Sequence, residues 1–185
     1  VLSEFNYLLV QLEAGGKKYL LDATEKNLDF GDVPFRSLNQ YGRLINFKNE
    51  GSWVDIQPEN FSNIYIKDSL QVKADGTSKG HSLQVFSGYH ALLRRDKIEN
   101  LSDSEIFNGV SNPANYSKSV LTTLKNKDSV SEALHINYVL ENETQKINDA
   151  IYFNPFSFKF FENNPFRSEK RNYPIDFGYK DSYYY

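Results

Sequence analysis

The sequence predicts a mainly β protein: a terminal β-hairpin followed by an antiparallel β-sandwich-like domain with one short helix. Three observations support this fold class. Two apolar-rich strand pairs surround the turns Gly15-Gly16 and Asp75-Gly76, which is typical of hairpins. Residues 133–140 alternate apolar and polar with the period of a strand that buries one face. The segment Ser102 to Glu105 carries the pattern of a helix capping box and predicts the short helix.

The first hairpin comprises residues 5–24. Both of its arms are rich in Val, Leu, Tyr and Phe. The paired glycines Gly15 and Gly16 supply the positive φ angles that a tight two-residue turn requires. We therefore expect the two arms to pair as antiparallel strands.

A long polar connection, residues 23–52, follows the hairpin. A connection of this length is functional, folded as an Ω-like loop, or disordered, and its regularly spaced aromatic residues favour packing. Residues 53–56 then read as a short strand that Pro58 ends, because proline cannot continue a central ladder. We place a domain boundary there, which gives domains at residues 1–58 and 59–185.

The second domain is predicted to contain several more strands. Residues 63–73 and 81–86 flank the Asp75-Gly76 turn, and residues 120–124, 133–140 and 150–153 provide three further strands. The segment 91–95 fits either an extended strand or a helical turn, and the sequence does not decide between them. The predicted short helix covers residues 103–110, and Pro113 blocks its extension.

The first hairpin carries a recognisable motif. Its second arm ends Leu21-Asp22-Ala23-Thr24, and Tyr7 lies fifteen residues before Asp22. This hairpin resembles the last two strands of the transglutaminase-like (papain-like) catalytic core, in which a Phe-Asn-His strand precedes a strand ending Leu-Asp-Ala-Thr. The resemblance implies that Asp22 matches the Asp that orients the catalytic His, while Tyr7 stands where that His would stand.

Two later blocks extend the resemblance. Residues 33–43 follow the Leu-Pro-x-Arg-x-Leu-Asn-Gly-x-Gly-Arg pattern of bacterial multidomain relatives, departing at Val33 and Gln40. Residues 171–178 are similar to an Arg-x-Tyr-Pro-Val-Asp-Phe-Gly run in the uncharacterised β-domain that follows the core, with Ile175 in place of Val. The resemblance implies a bacterial protein that is exported, periplasmic or attached to the cell surface.

The chemistry of the family does not carry over to this chain. A papain-like site requires a thiolate made by a neighbouring imidazole, but the chain contains no Cys and has Tyr7 at the His position. A phenol ionises near pH 10, so it does not act as a base at neutral pH. We therefore expect no enzyme activity and treat Tyr7 and Asp22 as vestigial candidates for a catalytic site.

Composition excludes several functional classes. Twenty-one basic residues nearly balance 24 acidic ones, for a net charge of −3, which argues against a nucleic-acid partner. No apolar run approaches the roughly 20 residues of a transmembrane helix. His81, His90 and His135 lie far apart without helical spacing, so we expect exposed histidines, no metal site and no cofactor. The chain starts Val1-Leu2-Ser3 and lacks Met, so we expect a fragment or processed product.

These observations leave three hypotheses for function. The first is a non-catalytic structural or interaction module that binds the rest of its parent polypeptide or another protein domain. The second is a carbohydrate- or peptide-binding sandwich, because exposed aromatic patches often mark binding sites. The third is a contribution of Asp22 to a papain-like site completed by upstream residues of the parent protein. The candidate binding surface of the second hypothesis comprises Phe156, Phe158, Phe160, Phe161 and Tyr173.

Overall fold

The structure is a computed structural model that describes residues 5–38, 40–48, 50–58, 60–102, 105–106, 118–156, 160–161, 170 and 178–185. It is mainly β, with one helix and with antiparallel and mixed sheets. The predicted mainly β class is therefore confirmed, whereas the described sheets do not form the predicted antiparallel sandwich.

A five-stranded sheet forms the centre of the fold. Its strands are β5 (Ser62–Val72), β6 (Thr77–Phe86), β7 (Lys118–Lys125), β8 (Leu134–Glu143) and β11 (Asp181–Tyr184). Their order across the sheet is β11-β5-β6-β8-β7. The pairs β5–β6, β6–β8 and β7–β8 are antiparallel, while β11 pairs parallel to β5. The sheet is thus mixed, where the sequence predicted antiparallel pairing.

One face of this sheet carries the hydrophobic core. In β8, Leu134, Ile136, Tyr138 and Leu140 are buried and alternate with less buried residues, which confirms the predicted period of two. Strands β5, β6 and β7 add buried residues to the same cluster: Ile64, Ile66, Phe86 and Leu121. Within the described part of the chain, a helix rather than a second sheet contributes to this cluster, through Ala91.

That helix, α1 (Tyr89–Ile98), settles the segment that the sequence left open. Gly88 precedes it with no side-chain cap, and the first helical N–H, that of Tyr89, is satisfied by Ser62 Oγ at 3.0 Å. Ser62 lies 27 residues away on β5. Because the capping group comes from another element, no local signal marked this helix N-terminus.

The predicted capping box is also present. The Ser102 N–H and hydroxyl both donate to Glu105 Oε2, at 2.8 and 2.6 Å, and the Glu105 N–H donates to Ser102 Oγ at 3.4 Å. Glu105 and Ile106 are helical. The remainder of the helix predicted at 103–110 lies outside the described residues.

The amino-terminal part contains two small antiparallel sheets. Strands β1 (Val10–Ala14) and β2 (Lys17–Leu21) form the predicted hairpin, and Gly15 and Gly16 adopt φ angles of 59° and 76°. The strand predicted at 53–56 is β4 (Ser52–Ile56), and it pairs with β3 (Gln40–Leu44). Strand β3 lies in the segment predicted as an irregular connection, so that prediction was wrong for residues 40–44.

Other departures are smaller. Strand β6 begins at Thr77, four residues before the predicted start at 81, and the strand predicted at 150–153 is β10 (Ala150–Tyr152). β10 pairs with β9 (Gln145–Ile147), which was not predicted. The connection 23–38 packs on α1 and includes a 3₁₀ helix at Phe35–Ser37: the Tyr89 hydroxyl donates to Val33 O at 2.6 Å.

Candidate functional site

The candidate site lies at the end of the first hairpin that is opposite its Gly15-Gly16 turn. The pairing of the two arms brings the residues of the site together. The last ladder pair of β1 and β2 joins Val10 to Leu21. Continuing that register by three residues places Tyr7 opposite Thr24, two residues after Asp22. The two positions singled out from the sequence, Tyr7 and Asp22, are therefore neighbours in space as well as in the motif.

Asp22 is the acceptor at the centre of this site. The Tyr7 hydroxyl donates to Asp22 Oδ2 at 2.7 Å. The Thr24 hydroxyl and the Thr24 N–H both donate to the other oxygen, Oδ1, at 2.5 and 2.7 Å. The bond from the Thr24 N–H closes a turn of the kind that Asp side chains favour at strand ends.

Arg36, in the 3₁₀ helix Phe35–Ser37, completes the network from the other side. Its Nη2 donates to the hydroxyl oxygens of Tyr7 (2.8 Å) and Thr24 (2.7 Å), and its Nη1 pairs with Glu25. The guanidinium carbon lies 5.0 Å from the centroid of the Tyr7 ring, a distance at which a cation interacts with an aromatic face. The sequence pattern included Arg36 among residues 33–43 but did not predict its contact with Tyr7.

The proton inventory of the network determines its charge state. Each hydroxyl has one proton, and both protons point to Asp22, so the oxygens of Tyr7 and Thr24 accept from Arg36. Partial burial favours the neutral form of Asp22, but the Thr24 and Tyr7 hydrogen bonds and the charge of Arg36 outweigh it and lower its pKa. Hydrogen bonds to Glu25 and Tyr7 raise the pKa of Arg36. Asp22 is thus a carboxylate and Arg36 a cation at neutral pH.

This arrangement binds groups of the chain to one another and offers little for acyl transfer. The phenol of Tyr7 is a proton donor that already uses its proton, and Asp22 already accepts three hydrogen bonds. The chain has no Cys to serve as a nucleophile. The network instead ties the opening of the β1–β2 hairpin to the 3₁₀ helix Phe35–Ser37.

The predicted aromatic surface is only partly described. Phe158 and Tyr173 lie outside the described residues. Phe160 packs against the core cluster, with its ring centroid 5.0 Å from that of Tyr183 on β11. The rings of this region meet edge-on or tilted: Phe156 on Tyr185 (4.8 Å, 78°) and Phe161 on Tyr183 (5.3 Å, 60°).

The exposure of these rings is uneven. Phe156 and Phe161 are 51% and 69% exposed, respectively. Rings that meet edge to face pack against one another as in a protein core, whereas a stacking site for a sugar presents an open ring face. The described geometry therefore favours packing for Phe160 and leaves Phe161 as the most exposed of the described rings of the candidate surface.

A cavity of about 200 Å³ lies between the connection 27–32, the start of α1 and the turn before β8. Arg95 forms part of its wall and is only 3% exposed. Its guanidinium donates to five backbone carbonyls of the β7–β8 turn, those of Asn126, Lys127, Ser129, Val130 and Glu132. Arg95 thus fixes that turn. Asp32, also at the wall, has its pKa raised by burial and by the nearby charge of Asp29.

The three histidines are separated, as their sequence positions indicated. His81 is exposed on β6 and His135 is half-buried on β8. His90, on α1, has a side chain only 10% exposed, so the expectation of an exposed histidine was wrong there. In the described part of the chain, no group of three or more His, Asp or Glu side chains converges as metal ligands. No helix among the described residues has the length and apolar character to cross a membrane.

Comparison with known proteins adds no relative to this picture. No family model, no curated protein and no solved structure matches the chain.

Proposed function

We propose that this chain is a non-catalytic structural or interaction module, and that its first hairpin follows the frame of a transglutaminase-like core whose chemistry is absent. The observation that carries the proposal is the 2.7 Å hydrogen bond from the Tyr7 hydroxyl to Asp22. At the position where the family resemblance requires an imidazole base, the chain has a phenol whose proton is already donated. Asp22 here acts as a structural acceptor.

The proposed context is a bacterial, exported multidomain protein, periplasmic or at the cell surface. It rests on the sequence blocks around Asp22, at 33–43 and at 171–178. The contact between Tyr7 and Asp22 supports it, since the two motif positions meet in space. In this context the partner is the rest of the parent polypeptide or another protein domain, rather than a nucleic acid.

The exposed apolar side chains of the amino-terminal sheets support an interaction role. Leu8 and Val10 are 83% and 60% exposed, and Trp53 is 63% exposed. Two-stranded sheets are only marginally stable in water without further packing, and these exposed side chains give a protein partner apolar surface to bury. We therefore assign the partner-binding role to the β1–β2 and β3–β4 sheets.

A substitution experiment tests the assignment of this surface. Replacing Leu8 and Val10 together by Lys should change the free energy of unfolding by only about 0.5 kcal/mol, because an exposed position contributes little to the fold of the chain itself. Urea denaturation measures this. A loss of several kcal/mol would mean that the two side chains pack within the chain, and the surface would not be free for a partner.

An acyl-transfer assay tests the absence of catalysis. The purified chain is incubated with a glutamine-containing peptide and a fluorescent primary amine, and separately with a quenched peptide substrate for hydrolysis. We expect rates equal to those of buffer, for the wild type, for Asp22→Asn and for the exposed control Asp55→Asn. Activity that Asp22→Asn abolishes and Asp55→Asn retains would overturn the proposal and favour a papain-like role for Asp22.

A further inference from the structure

A cluster of titratable side chains joins the start of α1 to the edge strand β11. The imidazole of His90 lies between Tyr179 and Tyr183, with ring centroids 5.8 and 5.5 Å away. Its Nε2 is 3.7 Å from Asp181 Oδ2. Asp181 and Tyr183 belong to β11, and Tyr179 lies just before that strand, so His90 contacts this strand and the segment before it from the helix.

The geometry around His90 suits a neutral ring. Its side chain is nine-tenths buried, and its Nε2 is buried and receives no hydrogen bond from any described residue. A separation of 3.7 Å is too long for a hydrogen bond. The nearest carboxylate oxygen, Asp181 Oδ2, already accepts a hydrogen bond of 2.6 Å from the Tyr183 hydroxyl. A proton added to His90 would therefore create a buried cation whose acidic neighbour in the described chain, Asp181, already accepts a hydrogen bond.

The charged and titratable groups that face His90 come from two elements of the described chain. Arg94 lies one turn later on α1, while Asp181, Tyr183 and Tyr179 come from β11 and the residues before it. Burial lowers the pKa of His90, Arg94 lowers it further, and Asp181 opposes both without reversing the shift. The positive charge of Arg94 and the burial of the imidazole thus both lower the pKa of His90.

Strand β11 is a short strand at one edge of the described sheet. It has four residues and pairs on one side with β5, in the only parallel pairing of the described sheet. Its register joins Asp181 to Ser62 and Tyr184 to Tyr65, and the Ser62 N–H donates to Lys180 O at 2.8 Å. Without β11, the N–H and C=O groups along the outer side of β5 would be open to another strand.

We propose that His90 and β11 form an acid-sensitive latch: protonation of His90 releases β11 from β5 and exposes the edge of the sheet along β5. The latch is closed at neutral pH, where His90 is uncharged and packs between the tyrosines. The latch opens at pH values below about 6.5, the ordinary pKa of histidine. It opens there because the imidazole that is exposed in the open state binds a proton more tightly than the buried imidazole of the closed state.

The direction of the effect follows from proton linkage. A histidine whose pKa is lower in the folded state contributes stability that is complete above the unfolded value of about 6.5 and is lost as the pH falls below it. One proton changes the opening equilibrium by at most about tenfold per pH unit in that interval. The loss ends when the pH reaches the lower folded pKa.

Hydrogen exchange on the whole chain tests the latch. Mass spectrometry follows peptides covering β11 and the first half of β5 at pH 7.5, 6.5, 5.5 and 5.0, with exchange times corrected for the intrinsic rate. We expect protection of these peptides to fall by up to tenfold between pH 6.5 and 5.5, while peptides from β6 and β8 keep theirs. In His90→Gln, which stays neutral, the fall should disappear, and the control His81→Gln should behave like the wild type.

Three results would overturn the proposal. The first is an equal loss of protection in His90→Gln and wild type. The second is a loss in β11 that occurs together with β6 and β8, since this would report global unfolding. The third, which needs no variant and decides the matter if His90→Gln does not fold, is an NMR titration of the wild type in which His90 titrates at or above about pH 6.5.

Discussion

Replacing Tyr7 by Phe removes one oxygen atom and leaves the ring, so it isolates the hydrogen bonds of the hydroxyl, with Asp22, Thr24 and Arg36, from the packing of the ring. The lost oxygen donates to Asp22 at 2.7 Å and accepts from Arg36 at 2.8 Å. Both partners are charged, and hydrogen bonds to charged groups contribute about 1.5–3 kcal/mol each when buried. Here Tyr7 is half-buried and Arg36 exposed, so water replaces much of what is lost.

We expect Tyr7→Phe to lower the free energy of unfolding by about 1–2 kcal/mol, which corresponds to a change of roughly 5–30-fold in the folded-to-unfolded ratio. Urea denaturation measures the global effect, and hydrogen exchange of the β2 amides measures opening of the hairpin alone. In a double-mutant cycle with Arg36→Met, the two changes should be less than additive by about 0.5–1.5 kcal/mol, because they break the same contact.

Tyr19→Phe is the matched control on the same hairpin. The Tyr19 ring packs on Phe30 with centroids 5.2 Å apart, and its hydroxyl makes no hydrogen bond within the described part of the chain. This variant should therefore change stability by less than about 0.5 kcal/mol. If Tyr7→Phe costs no more than Tyr19→Phe, the network does not tie the hairpin to the 3₁₀ helix and the structural reading of Asp22 fails.

Three further variants probe the rest of the fold. Arg95→Met should destabilise the chain by about 3–5 kcal/mol in urea denaturation, since it leaves five part-buried turn carbonyls without their donor, while the exposed Lys97→Met on the same helix should change little. Gly80→Ala should cost at least about 3 kcal/mol in the same assay, because a Cβ there would lie 2.8 Å from the backbone Cα of Leu70 on β5; a neutral result would contradict the close β5–β6 contact. The carboxyl of Asp22 has a lowered pKa despite its partial burial, so its contribution to folding stability is complete above about pH 4 and is lost as the pH falls further. Asp22→Asn should therefore reduce the loss of stability that the chain shows on acidification below about pH 4. An equal loss of stability in Asp22→Asn and wild type would argue against the network.

The strand pattern was largely predictable because it is a local property. Leu134 to Leu140 alternate in the sequence and in burial, and Gly15-Gly16 required a tight turn whatever lay around it. Strand β3 was missed, since Gln40–Leu44 contains a glycine and polar residues and becomes a strand only against β4. Strand β11 was missed because four residues acquire strand geometry only by pairing with β5, more than 100 residues earlier.

The residues of the candidate site likewise divide into those that the local sequence predicts and those that it does not. The sequence identified Tyr7 and Asp22, because both lie on one hairpin whose register is set by a two-residue turn. It did not predict the contacts of Arg36, which reaches Tyr7 across 29 residues, or the burial of His90, which depends on β11.

By itself, the sequence determined that this protein is mainly β, that its first hairpin turns at two glycines, and that no thiol chemistry is possible in a chain without cysteine. Those properties follow from residue type and from spacing along a few neighbouring positions. The tertiary structure alone decided that residues 89–98 form a helix capped by Ser62, that Arg36 joins Tyr7 and Thr24, and that β11 lies against β5 and His90. Each of these depends on groups distant in sequence, whose hydrogen bonds and burial exist only once the chain has folded.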